Sequence, residues 1–259
     1  MKLKQQRRLC KKMFFKKKDI IGNALLDYLN GNPNAELILH SHMKINNNHI
    51  VNGKDRIQVS GFYNEINNLM EVDKQILNQC YGKVLDIGAG AGSHSLILMN
   101  KGIDVYSLDI SPGAVEVMKR RGLKKVYCND IKKIKITQFD TLIFAGNNHG
   151  LFGSIQELEE FFLNTADLLK PNGQILIASP YIKIPINNHD IGRFCTQYIE
   201  LNMKLEYKGV VSKAFKWFMV EPDYLINYFK KYGWTIETNY NYQEKTCLIR
   251  FANLNNKEI

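Results

Sequence analysis

Apolar and polar residues alternate with two different periods along this chain, and the switches between them divide it. Behind Asp19, whose carboxylate can cap a first turn, Ile21, Leu25, Leu26 and Leu29 recur at helical spacing, and Asn30-Gly31-Asn32-Pro33 closes the run. Residues 36–40 alternate as a short strand, and the polar, Asn-rich stretch 44–56 reads as an exposed loop. Ile66, Leu69, Met70, Ile76 and Leu77 predict one helix over 62–80. From Lys83 onward short apolar strands alternate with helices: strands over 84–87, 104–108, 125–128, 141–145 and 174–178, helices over 93–100, from Ser111-Pro112 to Gly122, and from Ser154 to Leu169. Ser154 and Glu157 form a capping box, and Pro112 fits a first helical turn. Such alternation predicts an α/β fold with a parallel sheet covered on both faces.

The last third changes character. Stretches 204–211 and 214–220 read as an antiparallel pair, Glu221-Pro222 opens a helix through Lys231, and 234–239 with 246–251 form a hairpin. The expected organisation is a basic tail over 1–18, an N-terminal helical region over 19–80, and an α/β domain over 81–259 with a small antiparallel insertion around 203–220.

Composition narrows the class. The 259 residues are 45% hydrophobic, enough for a substantial core, yet no run of 18 apolar residues occurs. Cys10, Cys80, Cys128, Cys195 and Cys247 are dispersed with no C-x-x-C pair, which argues against a zinc site or disulfide framework, for no metal, and for a reducing, cytoplasmic setting. Residues 1–18 hold nine Lys or Arg and no acid, so of the net +10 only +1 belongs to the rest. The folded body therefore has no footprint for a polyanion. For the tail four readings stand: a solvated arm, a membrane or nucleic-acid contact, a targeting peptide, or an extension upstream of a start at Met13. A charge block of this length is by default a solvated arm.

The chemistry begins at Val84-Leu85-Asp86-Ile87-Gly88-Ala89-Gly90-Ala91-Gly92-Ser93-His94, a strand running into a glycine turn and a helix start. Glycines there permit a tight turn and close approach of backbone to ligand. Dinucleotides and S-adenosylmethionine both use such turns. The dinucleotide spacing is G-x-G-x-x-G; here it is G-x-G-x-G, with Asp86 two residues ahead, where a carboxylate would repel pyrophosphate. This stretch resembles motif I of the class I S-adenosylmethionine-dependent methyltransferases. Strand ends carry Asp109 and Asn129-Asp130-Ile131 as well, and acids at three successive strand ends favour that family over a dinucleotide enzyme.

The resemblance implies a seven-stranded Rossmann-like sheet with one antiparallel C-terminal strand and an N-terminal helical lid. It implies S-adenosyl-L-methionine as cofactor, bound by Asp86, Gly88, Ala89, Gly90, Gly92, Asp109, Ile110, Asp130, Ile131 and Asn147. Asp109 would accept the ribose hydroxyls, and Asp130 the adenine amine. Leu168-Leu169-Lys170-Pro171-Asn172-Gly173-Gln174 is similar to the family's turn into strand five, and the segment Ala24-Leu25-Leu26-Asp27-Tyr28-Leu29-Asn30-Gly31 resembles bacterial members of small-molecule type. The loop after strand four, Asn147-Asn148-His149-Gly150, lacks the Pro-Pro-aromatic motif that holds a flipped base, and Ser179-Pro180-Tyr181 has no catalytic Cys. A small-molecule acceptor is therefore expected. A nucleic-acid or protein methyltransferase using the tail, and a non-catalytic binder of the cofactor, stay as alternatives. His149 is the candidate base, or else a loop residue that orders the turn. Phe62, Tyr63, Asn148 and Tyr181 are candidate pocket walls, with plain core packing as the alternative, favoured for Phe62.

If the tail is a solvated arm, deleting residues 1–18 leaves cofactor affinity and melting temperature unchanged. Salt-dependent binding of DNA or RNA that survives the deletion would contradict the electrostatic neutrality of the body.

Overall fold

A computed structural model describes residues 19–46, 49–134, 136–180, 198–241 and 243–252. The basic tail and Tyr181 lie outside the described residues. Five strands of the α/β part run in parallel: β3 (Lys83–Ile87), β4 (Asp104–Asp109), β5 (Val126–Cys128), β6 (Phe139–Phe144) and β7 (Leu169–Pro180). A C-terminal hairpin, β11 (Thr235–Asn241) and β12 (Thr246–Ala252), completes a seven-stranded sheet of order β11-β12-β7-β6-β3-β4-β5. Only β12 runs against the others, wedged between β7 and β11. This is the expected Rossmann-like sheet with its one reversed strand.

Period-two alternation sorts the strand residues onto two faces. Leu85, Ile87, Leu142, Phe144, Ile175 and Ile177 enter the larger core with α5 (Ile155–Leu163) and α6 (Pro222–Lys230). Their neighbours Val84, Ile143, Leu176 and Leu248 face α2 (Glu71–Gln79) and α3 (Ser93–Asn100) on the other side.

Three predicted elements differ from what formed. Stretch 44–56 is not a loop: β1 (Glu36–Asn46) and β2 (His49–Gln58) make a long hairpin. The partner that makes β1 an interior strand, β8 (Tyr198–Tyr207), lies far along the chain, so nothing local marks the stretch as strand. With β9 (Val210–Val211) and β10 (Phe215–Val220), these strands form a second, wholly antiparallel sheet of order β10-β8-β1-β2. The predicted helix over 62–80 breaks into 3₁₀ turns at Val59–Tyr63 and Ile66–Asn68 and the helix α2, because Asn64, Leu69 and Met70 are extended. The helix after Ser154 stops at Leu163, where the Asn164 side chain donates back to the Glu160 carbonyl at 2.8 Å, and β7 begins at Leu169. Among the described residues no helix is long and apolar enough to cross a membrane.

The N-terminal helix α1 (Ile20–Leu29) is fixed to α4 (Pro112–Arg120) through Asp19. The Asp19 carboxylate accepts from Gly22 N–H at 3.0 Å, from Ser111 Oγ at 2.8 Å and from Gly113 N–H at 2.8 Å. One side chain thus caps α1 and satisfies the first turn of α4. The helices cross so closely that a Cβ on Gly113 would lie 2.5 Å from the Gly22 Cα. Asp19→Ala is expected to lower the unfolding free energy by about 1–3 kcal/mol in urea denaturation, the scale of a lost cap with further charged hydrogen bonds. An unchanged midpoint would mean α1 is not held through this residue.

Candidate functional site

Strand β3 delivers the glycine turn to the carboxyl edge of the sheet. Gly88, Gly90 and Gly92 have φ of 74°, 56° and 82°, backbone that side chains rarely adopt. The turn is held from two sides. The N–H groups of Gly88 and Ala89 donate to the Leu108 carbonyl at 2.9 and 3.0 Å, and Gly90 N–H donates to Asp109 Oδ2 at 2.8 Å. From β6, Asn148 Nδ2 donates to the carbonyls of Ile87 and Gly88 at 3.0 and 2.9 Å. A Cβ at Gly88 would sit 2.8 Å from that amide, so glycine is required there by contact as well as by φ. Asn148, expected as a pocket wall, instead buttresses the turn.

Asp109 Oδ1 accepts from Ser111 N–H at 2.8 Å, so each oxygen holds one backbone donor and keeps capacity for another. Burial pushes this carboxyl up to about 6; the Ser111 and Gly90 N–H groups oppose the shift, and the charges of Asp19 and Asp86 add to it. Next to it Ile110 is 67% exposed, an unusual setting for a large apolar side chain. At the end of β5, Asp130 Oδ1 accepts from Lys132 N–H at 3.1 Å, and Ile131 tucks into the core. The acids at three strand ends therefore converge on one edge.

Asp86 lies on the α2–α3 face, buried, with Oδ2 accepting from Ser95 Oγ at 2.7 Å; Ser107 Oγ donates on to Ser95 Oγ. Burial raises its carboxyl, against the pull of His94 and Ser95. Its Oδ1 has no hydrogen-bond partner, and neither has the buried Oδ1 of Asn147. Asn147 itself takes a left-handed φ of 65° where β6 ends. Sequence reasoning missed two neighbours. His94 Nε2 lies 3.7 Å from Asp73 Oδ1, an ion-pair distance rather than a hydrogen bond, and the same Asp73 oxygen accepts from Gly146 N–H at 3.3 Å. Burial alone would depress the His94 imidazole, but Asp73 and Asp86 outweigh it and raise it. The available signal was an acid, Asp73, inside the apolar stripe Val72, Ile76 and Leu77.

The 3₁₀ turn at Val59–Tyr63 lies over the glycines. A Cβ at Gly90 would meet Phe62 at 3.4 Å, and Ser93 Oγ donates to the Phe62 carbonyl at 2.8 Å. Tyr63, the expected pocket wall, turns away: its hydroxyl donates to the Leu25 carbonyl at 2.6 Å, and its ring packs on Tyr28 and under the Arg121 guanidinium. Burial takes its phenol to about 12, against the Arg121 charge. The two neighbours have exchanged the roles the sequence suggested.

His149 is corrected too. Its ring is 0% exposed, edge-on to Phe218 with centroids 6.0 Å apart, and neither nitrogen has a partner. Burial lowers it from 6.5 to about 3. A neutral imidazole sealed in the core has no path to an acceptor proton, so the base role is not kept. The reason is local: the 3₁₀ turn at Asn148–Phe152 carries the ring inward under β10. A folded value below the ordinary 6.5 contributes stability that is complete above pH 6.5 and lost as pH falls toward about 3. His149→Phe is expected to flatten unfolding free energy against pH between 6.5 and 4, whatever it does to absolute stability. An unchanged slope would show that the ring titrates normally.

Against known proteins, residues 85–177 match the family model described as "Methyltransferase domain". No curated protein is matched by sequence. A SAM-dependent methyltransferase from Bacteroides fragilis, solved with S-adenosyl-L-homocysteine, is 26% identical, with a TM-score of 0.79 over 91% of this chain and 94% of that one. The glycopeptide N-methyltransferase MtfA with S-adenosyl-L-methionine is 13% identical over 73% of this chain and 89% of its own, TM-score 0.52, and shares the fold. The protein of a DhpI-SAM-HEP complex, 17% identical over 70% and 84%, likewise scores 0.52. Residues 85–177 thus carry a methyltransferase domain, and with its single reversed strand and its glycine turn beside the acids at the strand ends the chain has the fold of a class I S-adenosylmethionine-dependent methyltransferase.

Proposed function

We propose that this enzyme methylates a small-molecule acceptor, and that the residues at the carboxyl edge of the sheet bind S-adenosylmethionine. The observation that carries the cofactor assignment is the pair of buried, unpartnered oxygens, Asp86 Oδ1 and Asn147 Oδ1, beside the glycine turn. Unpaired buried acceptors are costly and call for a donor, here a cationic one. Asp109 has lone pairs for a ribose diol, the exposed Ile110 offers an apolar face to a planar base, and Asp130 stands where the adenine amine is expected.

When bound, the cofactor supplies an electrophilic methyl on a sulfonium. An acceptor held in line with that methyl would supply the electron pair of the new carbon bond, S-adenosylhomocysteine would leave with the electron pair of the broken carbon–sulfur bond, and a proton would leave where the acceptor carries one. With His149 sealed away, this chain's contribution is positioning, and holding two reactants in line supplies much of such a rate. The folded body's +1 charge, and a strand-four loop packed under β10, support a small acceptor over nucleic acid. The five dispersed cysteines support a cytoplasmic setting.

The Asp109 carboxyl, at about 6, gives a signed prediction. Ribose hydroxyls donate to the charged form, so S-adenosylmethionine affinity is flat above about pH 7 and falls as pH drops through 6. Without ligand the sign reverses for stability: a carboxyl raised from 3.8 loses its contribution as pH rises to about 6. In calorimetry, Asp109→Asn should weaken binding by about 1.5–3 kcal/mol and abolish the pH dependence. Equal affinities for mutant and wild type would remove Asp109 from the site. The acceptor class is tested with methyl-labelled cofactor and a metabolite extract: label belongs in small molecules, and label found only in RNA or protein overturns that part.

A further inference from the structure

Across the middle of the second sheet one face is mainly apolar and the other mainly polar. Cross-strand rows on the apolar face run Met43–Leu201–Trp217 and Ser41–Met203–Phe215 across β1, β8 and β10. On the opposite face of β8 and β10 stand Glu200, Lys204, Glu206 and Lys216, and at its end Tyr198, Phe218 and Val220 turn into the main core. The apolar rows join none of the four apolar cores, although Met203 is only 8% exposed and its neighbours are half-buried.

Both ends of this face are anchored on the methyl-transfer site. At one end Leu205 and Tyr207 belong to the apolar cluster, built around α1, that also holds Phe62 and Ala91 of the glycine turn. At the other, Trp217 presses on the loop after β6: a Cβ at Gly150 would lie 2.4 Å from its Cε2 and Nε1. Side chains two apart on β8 share a face, so 201 and 203 look the same way as 205 and 207. From Tyr207 to Leu201 the strand covers roughly 20 Å at about 3.3 Å per residue. The sheet therefore arches from the glycine turn to the strand-four loop, apolar side toward the carboxyl edge.

We propose that this face roofs the acceptor chamber, and that the acceptor is a small molecule whose bulk is an uncharged, apolar ring system. The proposal rests on the methyltransferase reading of the glycine turn. Tryptophan and methionine are surfaces that planar rings pack against with little geometric demand. Neither row carries a charged side chain, so a phosphate or carboxylate would meet no cation there.

The chain has two tryptophans, and Trp234 packs against the main core, so Trp234→Phe leaves Trp217 as the reporter. This protein, loaded with S-adenosylhomocysteine, is titrated with N-phenyl-1-naphthylamine, an uncharged ring dye. Saturable quenching of Trp217 at one site is expected. In the otherwise unchanged protein, Trp217→Ala and Leu201→Asn should each raise the dye dissociation constant about tenfold or more, with S-adenosylhomocysteine affinity changed less than about twofold. With methyl-labelled cofactor and a panel of phenols, aryl amines, amino acids and sugars, label should enter the ring compounds. Absent or unsaturable quenching, dye displacing S-adenosylhomocysteine, or label confined to amino acids and sugars overturns the roof. Failure of S-adenosylhomocysteine to bind at all would instead overturn the cofactor reading beneath it.

Discussion

The hydrogen bond from Gly90 N–H to the Asp109 carboxylate, beside those from Gly88 and Ala89 N–H to the Leu108 carbonyl, ties the glycine turn to the next strand end. The turn consists of left-handed glycines whose backbone donors and acceptors would otherwise be orphaned at the sheet edge. Asp109 and the Leu108 carbonyl hold it from β4, and Asn148 holds it from β6. With its geometry set, the start of α3 is placed, and Phe62 can lie over Gly90. The same carboxylate is next to the Asp19 clamp that positions α1 and, through it, one end of the second sheet. Cofactor cradle and roof thus share one origin.

Charge burial is the second constraint. Asp86, His94 and Asp73 lie together beneath the turn, and Asp86 Oδ1 stays unpaired. A buried carboxylate is tolerated only where something compensates it. The imidazole between two carboxylates supplies part of that compensation, and a bound cation would complete it. Through Asp73, α2 also reaches the Gly146 N–H at the end of β6. The helix before the glycine motif is therefore wired into the site and does more than cover it.

Legibility followed the range of the interactions. The parallel sheet, its reversed strand, the glycine turn and the acids at the strand ends were readable because each depends on local period or on backbone demands of a few residues. Asp19 was readable as a cap, though its bonds to Ser111 and Gly113 were not. The second sheet was missed because β1 gains its interior position from β8, more than 150 residues later in the chain. Tyr63 and Phe62 were exchanged because adjacent residues on a 3₁₀ turn point differently by an amount no periodicity fixes. His149 was misjudged for a related reason: a loop histidine near a strand end looks available until β10 is laid across it.

The account centres on a cofactor held at the glycine turn, with its reactive end toward an acceptor chamber under the second sheet. A crystal structure with S-adenosylhomocysteine bound tests this most directly. It should show the ribose hydroxyls on the Asp109 carboxylate, the amino group within hydrogen-bond reach of Asp86 Oδ1 or Asn147 Oδ1, directly or through one water, and the sulfur facing Leu201 and Trp217. A ligand whose ribose avoids Asp109, or whose sulfur faces away from the second sheet, would contradict it.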